Sequence, residues 1–227
     1  MTEFDWANLP FGYIPTDYNV RCYYRNGEWG EIEVSSSETI NLHMAATCLH
    51  YGQESFEGQK AFRCPDGKIR IFRIEDNATR MQSTSRGILM PEMPTEKFVE
   101  MVKKVVKLNE RFVPPYESGA ALYIRPLLIG TGAQVGVKPA EEYLFVIFVT
   151  PVGPYFKGGF ATTNFVITRE FDRAAPMEQV LSKWEETMLL VCVQANGLMM
   201  LAILQNSILM QKKRSTLTSV EPLISLG

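Results

Sequence analysis

LYIRPLLIG, residues 122 to 130, sets β-branched, aromatic and aliphatic side chains around a single arginine. The segment 121 to 129 and the equally apolar 143 to 150, YLFVIFVT, have the composition of strands covered on both faces. Together they read as the centre of a sheet. Tyr123 and Arg125 flank Ile124, and side chains alternate along a strand, so both point to one face. A tyrosine and an arginine on so apolar a strand need partners. Between the two segments lies a Gly-rich loop, TGAQVGVKP at 131 to 139, and after them comes PVGPYFKGGF at 151 to 160. The second of these has the Pro and Gly content of a domain linker.

Upstream, the pattern alternates between strand and helix. Residues 20 to 34 read as a hairpin turning at Asn26-Gly27, a pair that accepts positive φ. A second hairpin joins 58 to 63 with 68 to 73 across Pro65-Asp66-Gly67. Asp76 is placed to cap a helix running to about Leu89, and Thr95 to cap another in which Phe98, Met101, Val102, Val105 and Val106 recur at helical spacing. Pro114-Pro115 is expected to end it. The fold class is therefore α/β (α+β). A small N-terminal domain at 1 to 150 precedes the linker, and a strand at 163 to 168 falls in the start of a second domain at 161 to 176.

A chain of 227 residues with 46% apolar content can bury a real core, and its net charge of −2 lacks the basic face that nucleic acid requires. Lys103, Lys104 and Lys107 share one solvated helix face. The acidic N-terminus MTEFDWANLP has no basic region followed by an apolar run, so the reading is cytoplasmic. Cys22, Cys48, Cys64 and Cys192 show no paired CxxC spacing and are read as reduced thiols, with no metal; His43 and His50 are read as structural. From Met177 onward the language changes: residues 177 to 227 contain no Phe, Tyr, Asp or His. The charge-free span 188 to 210 has the length of a membrane helix, but its Gln and Asn residues and the missing aromatic belt speak against one.

Four segments in order carry a family resemblance: LHYGQESFEGQKAF at 49 to 62, IRIFRIEDNATRM at 69 to 81, LYIRPLLIG at 122 to 130 and VTPVGPYFKGGF at 149 to 160. Residues 1 to 176 resemble the branched-chain amino-acid aminotransferases, class IV enzymes of the fold type IV pyridoxal-phosphate group. The resemblance implies a two-domain architecture with pyridoxal 5'-phosphate as cofactor. It implies transfer of the amino group of leucine, isoleucine or valine to 2-oxoglutarate. Arg80 matches the arginine that binds the cofactor phosphate, a task suited to a guanidinium fork. Phe56 and Tyr51 match an aromatic wall for a branched aliphatic side chain, and Tyr123 and Arg125 line the same pocket, with the arginine meeting the glutamate side-chain carboxylate. Val135 and Val137, like Tyr51, match positions lent to a neighbouring subunit's pocket, which implies a homodimer.

The resemblance also demands two groups after the linker: a lysine holding the cofactor as a Schiff base, in a stretch like KVGGNYAAS, and a carboxylate at the pyridine nitrogen, in one like DECGAANFF. Neither stretch stands in this chain. Lys183, in LSKWEET, lacks the family's neighbours and is not its equivalent. Back-translating 182 to 187 as TCA AAG TGG GAG GAA ACN and reading from the last base of the first codon gives AAA GTG GGA GGA AAC, which spells KVGGN. Carried on in the same phase, 188 to 192 yield YAASL and 214 to 227 yield KYIDECGAANFFG. Residues 177 to 227 thus read as an out-of-frame tail, with no native domain and no reason to pack with complementarity. The expectation is an aminotransferase family member that is catalytically silent as it stands. D-amino-acid aminotransferase or aminodeoxychorismate lyase are the alternatives on the same fold, and a non-catalytic protein keeping the dimer surface is the alternative from another class.

Overall fold

In a computed structural model, which describes residues 4–154, the chain forms eight strands and three α-helices. The strands are β1 (Asn19–Arg25), β2 (Glu28–Trp29), β3 (Glu33–Ser35), β4 (Glu54–Phe56), β5 (Gln59–Arg63), β6 (Ile69–Ile71), β7 (Ala121–Gly130) and β8 (Tyr143–Val152). The helices are α1 (Thr47–Tyr51), α2 (Ile74–Gly87) and α3 (Thr95–Leu108). All strands join one antiparallel sheet in the order β2-β1-β8-β7-β5-β6, with β3 beside β1 and β4 beside β7.

The two apolar segments form its centre, paired from Ala121↔Val152 to Gly130↔Tyr143. Every residue of β8 but Phe148 is buried, as expected of a strand covered on both faces. Strand β7 differs: Tyr123, Arg125 and Leu127 are half-buried between buried neighbours, so one of its faces is partly open there. Strand β8 continues through Val152, two residues into the segment read as linker. The remainder of that segment from residue 155, the strand expected at 163 to 168, Lys183 and the tail from 177 lie outside the described residues.

Both turns follow their residues. Asn26 and Gly27 have φ of 54° and 85°, the pair of left-handed conformations a tight hairpin turn requires, and Gly67 at 75° closes the second hairpin. The helix boundaries differ from expectation. Helix α2 starts at Ile74, behind Arg73 in a left-handed conformation, so Asp76 lies inside the first turn, ion-paired with Arg73 and capping nothing. Thr95 is the first residue of α3, behind Pro94, and its hydroxyl accepts a hydrogen bond from Gln82 Nε2 at 3.2 Å. Asn109, not the proline pair, terminates α3. It is fully buried and acts as a surrogate peptide group: its Oδ1 accepts from the Tyr18 N–H at 3.1 Å, while its Nδ2 donates to the carbonyls of Tyr18 and Val105 at 2.9 and 2.8 Å.

Helices α2 and α3 cover one face of the sheet. Phe98, Met101, Val102 and Val105 of α3 share a core with Val20 and Cys22 of β1, Leu122 and Ile124 of β7, and Phe145 and Ile147 of β8. Phe98 and Phe145 meet with ring centroids 5.8 Å apart, and burying a side chain of that size contributes about 1.5–3 kcal/mol. The other face is covered only in part. Ile40, Leu42 and Cys48 pack over Ile129, Leu144 and Val146 at one end. At the other, the N-terminal segment is tied down by Ile14 N–H donating to Thr150 Oγ1 at 2.8 Å and by Thr16 Oγ1 donating to the Val149 carbonyl at 3.0 Å. Gly153 is part of that closure, since a Cβ there would stand 2.1 Å from the Leu9 carbonyl oxygen. Among the described residues no helix is long and apolar enough to cross a membrane.

Candidate functional site

One proline organises the site. Strands β4 and β5 pair with β7 in a single register, Phe56↔Leu127 on one side and Gln59↔Ile124 on the other, which sets Glu57 opposite Pro126 and Gly58 opposite Arg125. The Glu57 N–H donates to the Pro126 carbonyl at 2.9 Å, but proline has no N–H to return the bond, so the ladder is interrupted there. Side-chain alternation across the gap turns Phe56 to the partly open face with Tyr123 and Arg125, and turns Glu57 to the helical face.

On the open face the Arg125 guanidinium carbon lies 4.5 Å from the Phe56 ring centroid and 5.3 Å from that of Tyr123. Cation–π attraction holds the side chain between the two rings. Arg125 Nε is buried and has no hydrogen-bond partner. Phe11 packs edge-on against Tyr123 at 5.8 Å. Gly58 makes this cluster possible, because a Cβ there would lie 2.5 Å from the Tyr123 hydroxyl and 3.2 Å from its Cζ. Replacing Gly58 by Ala is therefore expected to displace Tyr123 and to cost about 1–3 kcal/mol of stability. A structure of the variant with Tyr123 unmoved, or an unchanged urea midpoint, would refute this.

On the helical face Glu57 is fully buried. Its Oε1 accepts from Arg80 Nε and its Oε2 from Arg80 Nη2, both at 2.5 Å, while Asn77 Nδ2 donates to Oε2 at 2.8 Å and the Gly58 N–H at 3.3 Å. The Glu57 hydrogen bonds raise the Arg80 pKa above its ordinary value, outweighing burial. The Arg80 side chain is 52% exposed, and its Nη1 edge has no partner among the described residues. Glu57 was not among the candidates drawn from the sequence. The available signal was a carboxylate between Phe56 and Gly58 in a strand, but nothing local says which cation it meets.

The remaining candidates form a separate group. Tyr51, at the end of α1, donates its hydroxyl to the Val135 carbonyl, and Val135 and Val137 are 85% and 89% exposed. Their loop is anchored at both ends by the buried Gln53, whose Oε1 accepts from Thr47 Oγ1 at 2.9 Å and from the Ala140 N–H at 3.0 Å, while its carbonyl accepts from the Gly130 N–H at 3.0 Å. A cleft of about 190 Å³ lies apart from Arg80, above Leu127, Val146 and Phe148 and beneath Tyr13 and Glu38. The Tyr13 pKa is raised, first by burial and then by the Glu38 carboxylate.

No family model matches the chain. Solved structures identify the fold. A branched-chain aminotransferase from the thermophilic archaeon Thermoproteus uzoniensis, solved with norvaline, superposes with a TM-score of 0.62 at 19% identity over 78% of this chain and 56% of that one. The Thermobaculum terrenum branched-chain amino acid aminotransferase in its PLP form does so with a TM-score of 0.58 at 18% identity, over 81% and 56%. The fold is that of the fold type IV aminotransferases. The sequence relatives narrow the class: 177 residues, 78% of this chain, are 52% identical to the branched-chain-amino-acid aminotransferase of Haemophilus influenzae. By sequence, this stretch of the chain is similar to the branched-chain-amino-acid aminotransferases. The chain spans about half the length of the curated relatives it matches.

Proposed function

We propose that the described domain is the substrate-reading half of a pyridoxal-phosphate-dependent branched-chain aminotransferase, exchanging amino groups between leucine, isoleucine or valine and 2-oxoglutarate. The observation that carries the reading is the Arg125 guanidinium, held over Phe56 and Tyr123 with a buried Nε that has no partner. Such a face serves two unlike substrates in turn. The rings offer apolar contact to a branched side chain, and the arginine offers a fork to a carboxylate.

Arg80 fits the cofactor's phosphate end. Glu57 occupies two of its donors from the buried side, leaving the Nη1 edge for an anion without an uncompensated buried charge. When bound, the cofactor would supply a carbonyl that condenses with amines and an electron sink for the electron pair left behind when the α-proton departs. The protein's own part is to orient Arg80 through Glu57 and Asn77, and to seat the substrate side chain against Phe56, Tyr123 and Arg125. Tyr51, Val135 and Val137 are assigned to the pocket of a second subunit in a homodimer, in keeping with the exposure of both valines. The small domain runs through the end of β8 at Val152, the remainder of the segment to 160 is assigned to the linker, and 161 to 176 to the start of the cofactor domain. The tail from 177 is out of frame, which leaves this chain without the covalent lysine.

The test uses the frame-restored protein. Arg125→Met is expected to raise KM for 2-oxoglutarate by about 10- to 100-fold, the loss of a charge-assisted contact, while KM for leucine moves little. Equal effects on both substrates, or none, would overturn the assignment.

A further inference from the structure

Lys60 of β5 stands directly opposite Tyr123 of β7, so alternation places it on the same open face as Tyr123, Arg125 and Phe56. Its flanking residues confirm the direction: Gln59 and Ala61, turned to the covered face, are 6% and 0% exposed. Lys60 is half-buried, makes no hydrogen bond or ion pair among the described residues, and has its pKa lowered by burial. Arg125 sits one step along the diagonal, opposite Gly58, a cross-strand separation of roughly 7–8 Å that two long side chains close easily. It has no carboxylate partner among the described residues either, whereas Arg25, Arg70, Arg73, Arg80, Arg86 and Arg111 are each paired with an acid. The acid nearest in sequence, Glu57, is turned to the opposite face and engaged by Arg80 and Asn77.

Two partly desolvated cations therefore share an apolar, ring-floored face, neither of them paired with an acid among the described residues, an arrangement that costs stability and favours an anionic ligand. We propose that Lys60 is a second carboxylate anchor of this site: with Arg125 it grips the distal carboxylate of a short dicarboxylic acid and separates that substrate from monocarboxylic aliphatic ones. A carboxylate accepts about four hydrogen bonds, enough for the arginine fork and an ammonium together. The inference rests on the reading of the open face as the substrate site.

The experiment titrates the full chain with glutarate and, separately, with 4-methylvalerate, following amide shifts by NMR. The wild type should bind glutarate more tightly. Lys60→Met should weaken glutarate by about 10- to 100-fold and leave 4-methylvalerate essentially unchanged, whereas Lys60→Arg should retain glutarate. Circular dichroism checks that each variant folds as the wild type does. If Arg125→Met weakens glutarate and Lys60→Met does not, Lys60 has no such role and the substrate face stands. If neither substitution matters, or the wild type does not favour glutarate, the substrate face falls and the Lys60 proposal with it.

Discussion

The chain as it stands is expected to transaminate leucine with 2-oxoglutarate at least about 10⁴-fold more slowly than its frame-restored counterpart. On the out-of-frame reading proposed above, the loss of positioned general acid–base catalysis alone would account for about 10² to 10⁴ in rate, and the absence of the lysine would remove the covalent attachment as well. Arg80 can still attract a phosphate through its open edge, but a single charge-assisted contact replaces neither the covalent bond nor the carboxylate that keeps the pyridine ring protonated. Lys183 is surrounded by Ser182, Trp184 and Glu185, without the glycines and asparagine that the family motif sets after its lysine. The measurement is an assay of both proteins in parallel after incubation with pyridoxal phosphate, followed by borohydride and peptide mapping. An adduct on Lys183 with turnover near that of the frame-restored protein would overturn the frameshift reading. The nucleotide sequence around codons 176 and 177 tests it independently.

Removing the Arg80 side chain should cost about 3 kcal/mol of folding stability, quite apart from any cofactor. Glu57 is fully buried, and without Arg80 its charge keeps only the Asn77 amide and the Gly58 N–H. Arg80 itself is half-exposed, so the pair's worth lies less in Coulomb attraction than in what Glu57 suffers when abandoned. Urea unfolding of Arg80→Ala and of the double variant Arg80→Ala/Glu57→Gln separates the two: the second substitution should restore most of the loss. A single variant costing under about 1 kcal/mol, the value of an exposed pair, would show that the guanidinium plays no part in the fold. The consequence for function is direct. A weakened phosphate affinity in an Arg80 variant reports on the domain's integrity as well as on the missing charge, and only the Glu57→Gln background distinguishes them.

Where local chemistry set the outcome, the sequence was legible. Strands β7 and β8 announced themselves by their dense aliphatic and aromatic content, and both hairpins turned where Asn26-Gly27 and Gly67 supplied positive φ at little cost. Helix ends were less legible. Asp76 and Thr95 are good capping residues, but α2 begins behind a left-handed Arg73 and α3 behind Pro94. The buried Asn109 ends α3 by binding Tyr18, a partner 91 residues away.

What the sequence determined by itself was the class of fold and the presence of Tyr123 and Arg125 on one face, because period-two alternation is a property of any strand. The family resemblance named Arg80, Phe56, Tyr51, Val135 and Val137 as site residues, but not their neighbours in space. Only the tertiary structure decided that Glu57 meets Arg80 while Phe56 meets Arg125, and that Lys60 shares the open face with them. The reason is register: a slip of one residue between β4–β5 and β7 exchanges the two faces of the sheet, and that register is set by packing against α2 and by the missing N–H of Pro126. No stretch of sequence within reach of Glu57 encodes it.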